Sequence, residues 1–281
     1  MFNKNISTFI GCDSSFEESN IVIFGAPFDS TTSFRPGTRF ASKVMRLESF
    51  GIETYSPYQD KDLEDINVFD GGDLELPFGN VSTSLTDIEN YTTEILNANK
   101  KPLMIGGEHL VTYGTMKAIS KKYDDVYVLH FDAHCDLRED YLGEKLSHAT
   151  VIRRVTEMVG SKNVFQLGLR SGTKEEFDFG KNNTNFCPLN LSKIDEYVEL
   201  LMGKKVYLTV DLDVLDPSIF PGTGTPEAGG VTFNELLNAL LKLKCLNIIG
   251  ADINELSPSY DNSGVSTAVA CKLLREILLL M

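Results

Sequence analysis

Asp132, His134 and Asp136 stand at alternate positions where the apolar run Val126-Tyr127-Val128-Leu129-His130-Phe131 gives way to Asp132-Ala133-His134-Cys135-Asp136. An apolar, β-branched run bounded by polar residues reads as a buried strand, and alternate side chains at its end lean to one face. Two carboxylates and an imidazole crowded into one small volume are costly to desolvate unless positive charge lies between them, and a divalent cation is the usual solution. The four histidines of the chain, His109, His130, His134 and His148, all fall in one interval around this run, whereas surface histidines would scatter. Asp211 and Asp213 alternate in the same way at the end of Lys205-Val206-Tyr207-Leu208-Thr209-Val210. His109 follows Gly106-Gly107-Glu108, where two glycines allow the sharp turn that delivers it to the same edge. His109, Asp132, His134, Asp136, Asp211 and Asp213 are too many ligands for one ion and suit two ions that share carboxylates. Four aspartates neutralise two divalent cations, and oxygen-rich ligation without thiolate favours Mn²⁺, with imidazole leaving room for Zn²⁺, Co²⁺, Fe²⁺ or Ni²⁺. Two such ions about 3.5–4 Å apart lower the pKa of a shared water enough for hydrolysis near neutral pH. His130 has the parity of the ligands but lies deeper in the strand and reads as a core or supporting residue. Cys135 points to the opposite face.

The elements that must carry these residues follow from the rest of the chain. Strands are expected at Ile21–Gly25, Ile66–Asp70 (stopped by Gly71-Gly72), Lys101–Ile105, Val126 into the Asp-His segment, Val164–Gly168, Thr184–Cys187, Lys205–Asp213 and Cys245–Ile253. Helices are expected over about Ala41–Phe50, from Thr86 through a Thr86-x-x-Glu89 capping box, over Val111–Lys121, His148–Val159, from Thr232 with Glu235, and over Val265–Leu280. Strands alternating with helices imply a mostly parallel sheet of about eight strands with helices on both faces, the site lying beyond the carboxyl ends of the strands. A closed barrel is the alternative. The segment Asp29–Arg39 is long for a simple connection, and such loops tend to be functional.

With 281 residues, 42% hydrophobic and 23% charged, and no composition break, low-complexity tract or repeat, the chain reads as one domain spanning residues 1–281. A net charge of -14 argues against a nucleic-acid partner, and no uncharged stretch is long enough to span a bilayer. Met1-Phe2-Asn3-Lys4-Asn5 lacks the pattern of a signal peptide, so a cytoplasmic protein is expected. Five cysteines at irregular spacing, with no Cys-x-x-Cys pair, are expected to be reduced and mostly buried.

Gly106 to His109, Asp132 to Asp136, and Asp211-Leu212-Asp213-Val214-Leu215-Asp216-Pro217 resemble the three metal motifs of the ureohydrolase family of arginases and agmatinases. The resemblance runs nearly end to end. Within the family, Arg35–Arg39, Pro221–Pro226 and Asp252–Asp261 look more like the agmatinases than the arginases. It implies a three-layer α/β/α fold, two manganese ions, a small cationic guanidino substrate and a homo-oligomer, trimeric or hexameric. Carried over by position, Asp132 and Asp211 bridge the ions, His109 and Asp136 complete one site, and His134 and Asp213 the other. Glu255 would face the substrate guanidinium, which a carboxylate can hold by two parallel hydrogen bonds. His148, in Ser147-His148-Ala149-Thr150, matches the family's proton-shuttling histidine. The sequence departs from the family pattern in two places. Ala41-Ser42 replace a frequent Gly-Pro pair, and Leu137-Arg138-Glu139-Asp140 follow Asp136 where arginases carry an Asn that reads the amino-acid end of arginine. The reaction implied is agmatine to putrescine and urea. Arginase, guanidinobutyrase and formimidoylglutamase activities are the alternatives within the family, and an inactive metal-binding scaffold is the alternative outside it. Glu139, Asp140 and Glu144 are the acids expected near the mouth for an ammonium tail, while Arg138 would suit an anionic one.

Overall fold

The computed structural model describes residues 7–281, so the reading of Met1–Asn5 lies outside the described residues. Eight strands form the main sheet: β1 (Ile21–Gly25), β2 (Val68–Asp73), β3 (Lys101–Ile105), β4 (Val126–Phe131), β5 (Val164–Leu169), β6 (Asn185–Pro188), β7 (Lys205–Asp211) and β8 (Asn247–Asn254). Their order is β2-β1-β3-β8-β7-β4-β5-β6 and every neighbouring pair is parallel, so the sheet is open and the barrel alternative falls. A two-stranded antiparallel hairpin, Tyr55–Ser56 with Lys61–Asp62, lies apart from it.

Strand alternation sends successive side chains to two separate cores. Ile23, Leu103, Leu129, Phe131, Leu208 and Val210 join one buried cluster, while Phe24, Met104, Val128 and Tyr207 join the other. The first core is covered by α1 (Ala41–Glu48), α6 (Ile194–Leu201), α7 (Phe233–Leu241) and α8 (Val265–Leu280). The second is covered by α2 (Val81–Asn97), α3 (Val111–Lys122), α4 (Val151–Val159) and α5 (Lys174–Asn183). The result is the expected α/β/α sandwich. Among the described residues no helix is long and apolar enough to cross a membrane.

Three local expectations need correction. The second strand begins at Val68 and runs through Gly71-Gly72 to Asp73. Gly71 lies under the Tyr91 hydroxyl of α2, where a Cβ would come within 2.2 Å, so this glycine permits a close approach and does not end the strand. Helix α2 starts five residues before Thr86: Asn80 caps it by accepting from Thr83 N–H, and the hydroxyl of Thr86 donates to the Ser82 carbonyl within the helix. Glu89 belongs to no capping box but pairs with Lys117 and Lys121 of α3. Finally, α5 and α6 were not anticipated, although Thr173 and Glu176 form a capping box at the start of α5.

The register aligns the carboxyl ends of the four central strands. Ile253 of β8 pairs with Ile105 of β3, Asn254 with Asp211 of β7, and Phe131 of β4 with Val210. Everything expected to do chemistry leaves the sheet at this edge.

Candidate metal centre and cavity

At the end of β3, Gly107 is pressed against Phe28, whose carbonyl oxygen would lie 1.9 Å from a Cβ. The glycine is demanded by this contact and not by a left-handed turn. His109 follows, buried, with Nδ1 3.0 Å from Asp132 Oδ2, 3.2 Å from Asp136 Oδ2 and 3.2 Å from Asp211 Oδ2. Its other ring nitrogen lies 2.9 Å from Thr209 Oγ1. Asp132 also reaches a second group: His134 Nδ1 is 3.6 Å from Asp132 Oδ1 and 2.9 Å from Asp213 Oδ2. All six residues expected as ligands therefore meet in two clusters joined at Asp132.

The route by which they meet differs from the expected one. β4 ends at Phe131, and Asp132 to Asp136 form an irregular turn in which Asp136 has φ +52°. Asp213 lies in a 3₁₀ turn that follows β7. Apart from Asp211, the last residue of β7, strand alternation thus does not aim these side chains, and backbone donors fix three of the carboxylates. His134 N–H donates to Asp132 Oδ1 (2.6 Å), Ala133 N–H to Asp213 Oδ1 (3.1 Å) and Asp213 N–H to Asp211 Oδ1 (2.9 Å). In each case one oxygen is fixed and the carboxylate is turned toward the cluster.

The electrostatics show which charge the cluster favours. Burial, then the charges of Asp213 and Asp132, raise Asp211 well above the usual carboxylate range, and burial with Asp132 pushes Asp136 up to about 7. Burial opposes ionisation of Asp132, but hydrogen bonds from His109, His130 and His134 outweigh it and hold this carboxyl low. Burial likewise opposes charge on His109 and His134, yet the surrounding aspartates raise both well above the ordinary histidine value. Protons collect where positive charge is needed. Asp213 Oδ2 is buried, with the His134 ring nitrogen 2.9 Å away as its neighbour. Ligands that share a small divalent ion at about 2.1 Å lie roughly 3 Å from one another, which is the spacing around His109. The donor set therefore fits a pair of divalent cations.

His130 belongs behind this set. It is fully buried, lies 2.8 Å from Asp132 Oδ2 through Nε2 and receives Gln166 Nε2 at Nδ1 (3.2 Å). Although its nitrogen is close enough to His109 and Asp132 to count as a third donor, it does not line the cavity. Orienting a ligand carboxylate is the usual work of such a residue. Cys135 packs in the second core beside Gly172, where burial pushes its thiol up, and yet it also lines the cavity, so the expectation that it points to the opposite face holds only in part.

A cavity of about 230 Å³ opens over the cluster, and Glu255 and His148 line it. Glu255 follows β8 with φ +65°, an uncommon conformation for a residue with a side chain, of the kind that gathers at functional sites. It is pinned twice to the turn after β3: its N–H donates to Gly107 O (3.0 Å) and its Oε1 accepts His109 N–H (2.8 Å). Burial, then Asp213 and Glu108, raise its pKa well above the usual range, so this acid is also placed to receive a cation. His148 opens a 3₁₀ turn capped by Ser147 and Thr150. Its Nδ1 is 3.1 Å from Ser147 Oγ, its Nε2 3.2 Å from Ser33 Oγ, and Tyr141 meets its ring edge to face. Burial and the nearby His134 charge depress it to about 4, leaving a neutral imidazole at pH 7.

The expected mouth acids are not on this wall. Glu139 and Asp140 face a separate depression and Glu144 faces another. The acid that does line the cavity, apart from the cluster and Glu255, is Glu176 of α5. Arg138 also lines it, 3.4 Å from Glu176 Oε2 through Nε and stacked over the Tyr141 ring at 5.1 Å. Sequence reasoning missed Glu176; the Thr173-x-x-Glu176 capping spacing would have located its helix but not its view of the cavity.

A model described as the Arginase family matches residues 19–280. The chain is 48% identical over 279 residues to the agmatinase of Bacillus cereus, covering 96% of this chain and 95% of that one. It is 34% identical to the mitochondrial guanidino acid hydrolase of Homo sapiens, covering 93% of this chain and 78% of the other. Among solved structures, the agmatine ureohydrolase of Thermoplasma volcanium superposes with a TM-score of 0.90 at 33% identity, covering 98% of this chain and 94% of that one.

Proposed function

The chain belongs to the arginase family, and from that premise we propose that it hydrolyses agmatine to putrescine and urea at the cavity over the aspartate–histidine cluster. The observation that carries the proposal is the ring of three carboxylate oxygens 3.0–3.2 Å from His109 Nδ1, shared through Asp132 with the His134–Asp213 group. His109 and Asp136 would hold one divalent cation, His134 and Asp213 the other, and Asp132 and Asp211 both; manganese is the metal proposed. When bound, such a pair supplies Lewis acidity that makes a water nucleophilic near neutral pH.

The remaining work falls to the chain's own residues. Glu255, held by two hydrogen bonds to the turn after β3, presents its carboxylate to the guanidinium, which keeps its charge and can donate two parallel N–H bonds. Water oxygen adds to the guanidino carbon, and the bond from that carbon to the alkyl-bearing nitrogen breaks. That nitrogen leaves as an amine only if it gains a proton. The adding water must lose a proton, and His148, neutral at pH 7 and on the cavity wall with its ring fixed between Ser33 and Ser147, is placed to take a proton up from that side and hand one to the leaving nitrogen. A homo-oligomer, trimeric or hexameric, belongs to the same proposal and rests on the family resemblance; a cytoplasmic setting is proposed with it.

Arg138 on the cavity wall favours a second reading, a guanidino acid whose carboxylate it would bind. Its pairing with Glu176 counters that reading, because the carboxylate offsets the charge that Arg138 would present to an anionic tail. The test is urea release by Mn²⁺-loaded protein across agmatine, arginine and guanidinobutyrate. Agmatine is expected to exceed both in kcat/KM by at least tenfold, about 1.4 kcal/mol in transition-state binding. A preference for arginine or guanidinobutyrate would overturn the substrate and leave the dimetal chemistry standing.

A further inference from the structure

We propose that Glu108 and Thr31 form a buried strut that positions His148, so that Thr31, outside the cavity wall, sets the rate of proton delivery. The inference rests on the role of His148 argued above. Glu108 lies between Gly107 and His109, is fully buried and does not line the cavity. A carboxylate in that position demands donors, and among the described residues they come from one loop. Thr31 N–H reaches Glu108 Oε2 at 3.0 Å, Thr32 Oγ1 reaches the same oxygen at 3.0 Å, and the Thr31 hydroxyl makes a short hydrogen bond to Oε1.

The His148 backbone N–H can only donate, so Thr31 Oγ1 accepts from it at 3.1 Å and turns its own hydroxyl proton toward Glu108 Oε1. Donation therefore runs one way, from His148 N–H to Thr31 Oγ1 and from the Thr31 hydroxyl to Glu108, and each bond polarises the next. Two residues on, Ser33 Oγ sits 3.2 Å from His148 Nε2. The polar contacts that fix His148 from outside its own turn thus both come from residues 31–33, and Glu108 ties those residues to the segment that carries His109. The Glu108 N–H adds a rung by donating to Phe28 O at 2.8 Å. The consequence is one rigid frame for a group on the cation cluster and a group that moves a proton. Such chemistry is sensitive to displacements of about 1 Å.

Thr31→Val removes the hydroxyl and keeps the branched shape, which spares the fold the loss of the Glu108 carboxylate. With agmatine, kcat should fall at least tenfold while KM stays within about twofold and metal content is unchanged, and Thr31→Ser should recover most of the loss. In a His148→Ala background, Thr31→Val should cost nothing further. A crystal structure of Thr31→Val should show the His148 ring released from Ser33, a readout that needs no turnover and so stands if agmatine proves not to be the substrate. An equal fractional loss in both backgrounds, an effect on KM alone, no loss of kcat, or an unmoved ring would overturn the strut.

Discussion

Removing the divalent cations should make the protein lose stability as pH rises, and the cluster fixes both the sign and the scale. Asp132, Asp136, Asp211 and Asp213 are buried together, with His109 and His134 among them and His130 behind Asp132. Without metal, burial and neighbouring acids raise Asp136 to about 7 and Asp211 well above the ordinary range, and the same acids raise His109 and His134 against the opposing effect of burial. In each case the folded protein keeps protons that the unfolded chain has released. The folded state is therefore favoured at low pH and loses that advantage as pH climbs, for Asp136 between about 4 and about 7 and for the histidines from about 6.5 upward. Ionising a buried carboxyl displaced from about 4 to about 7 costs on the order of 4 kcal/mol. Asp132 runs the other way, but its depressed value keeps its contribution intact throughout this range. Metal replaces the protons, and two sites each filled at about 100 times their Kd add roughly 5 kcal/mol, or about 10 °C in Tm for a domain of this size. The assay is thermal unfolding of chelator-stripped and Mn²⁺-loaded protein at pH 5.5, 7.0 and 8.5. The gap between the two should widen with pH. Coincident melting at pH 8.5, or a stripped protein that gains stability as pH rises, would refute the reasoning.

His148→Ala should lower kcat by roughly 10²–10⁴-fold, the range for losing a general acid, with two metal equivalents still bound by elemental analysis; wild-type turnover would return His148 to a structural role. Glu255→Gln removes the charge from the guanidinium contact, worth about 1.5–3 kcal/mol, so kcat/KM for agmatine should fall by about 10- to 150-fold in steady-state assays. An unchanged kcat/KM would move the guanidinium elsewhere in the cavity.

The fold was legible because its signals are periodic and local. The apolar runs at Ile21–Gly25 and Lys101–Ile105 coincide with β1 and β3, and the stretch Val265–Leu280 coincides with α8. The six cluster residues were legible by type and order, but not by mechanism. Alternation along a strand predicted their meeting, whereas irregular turns and backbone donors bring it about, as the left-handed Asp136 shows. Boundaries set by tertiary contacts were misread: Gly71-Gly72 look like a stop until Tyr91 is seen lying over Gly71. Glu176 and Arg138 show the limit most clearly. Which acid faces the cavity depends on how α5 packs beside the turn after Asp136, and neither a capping spacing nor charge counting encodes that packing.

The most direct test of the central claim is anomalous scattering at the manganese edge from crystals of the Mn²⁺-loaded protein. Two peaks are expected, one between His109 and Asp136 and one between His134 and Asp213, with Asp132 and Asp211 touching both. A single peak, or peaks away from these six residues, would contradict it.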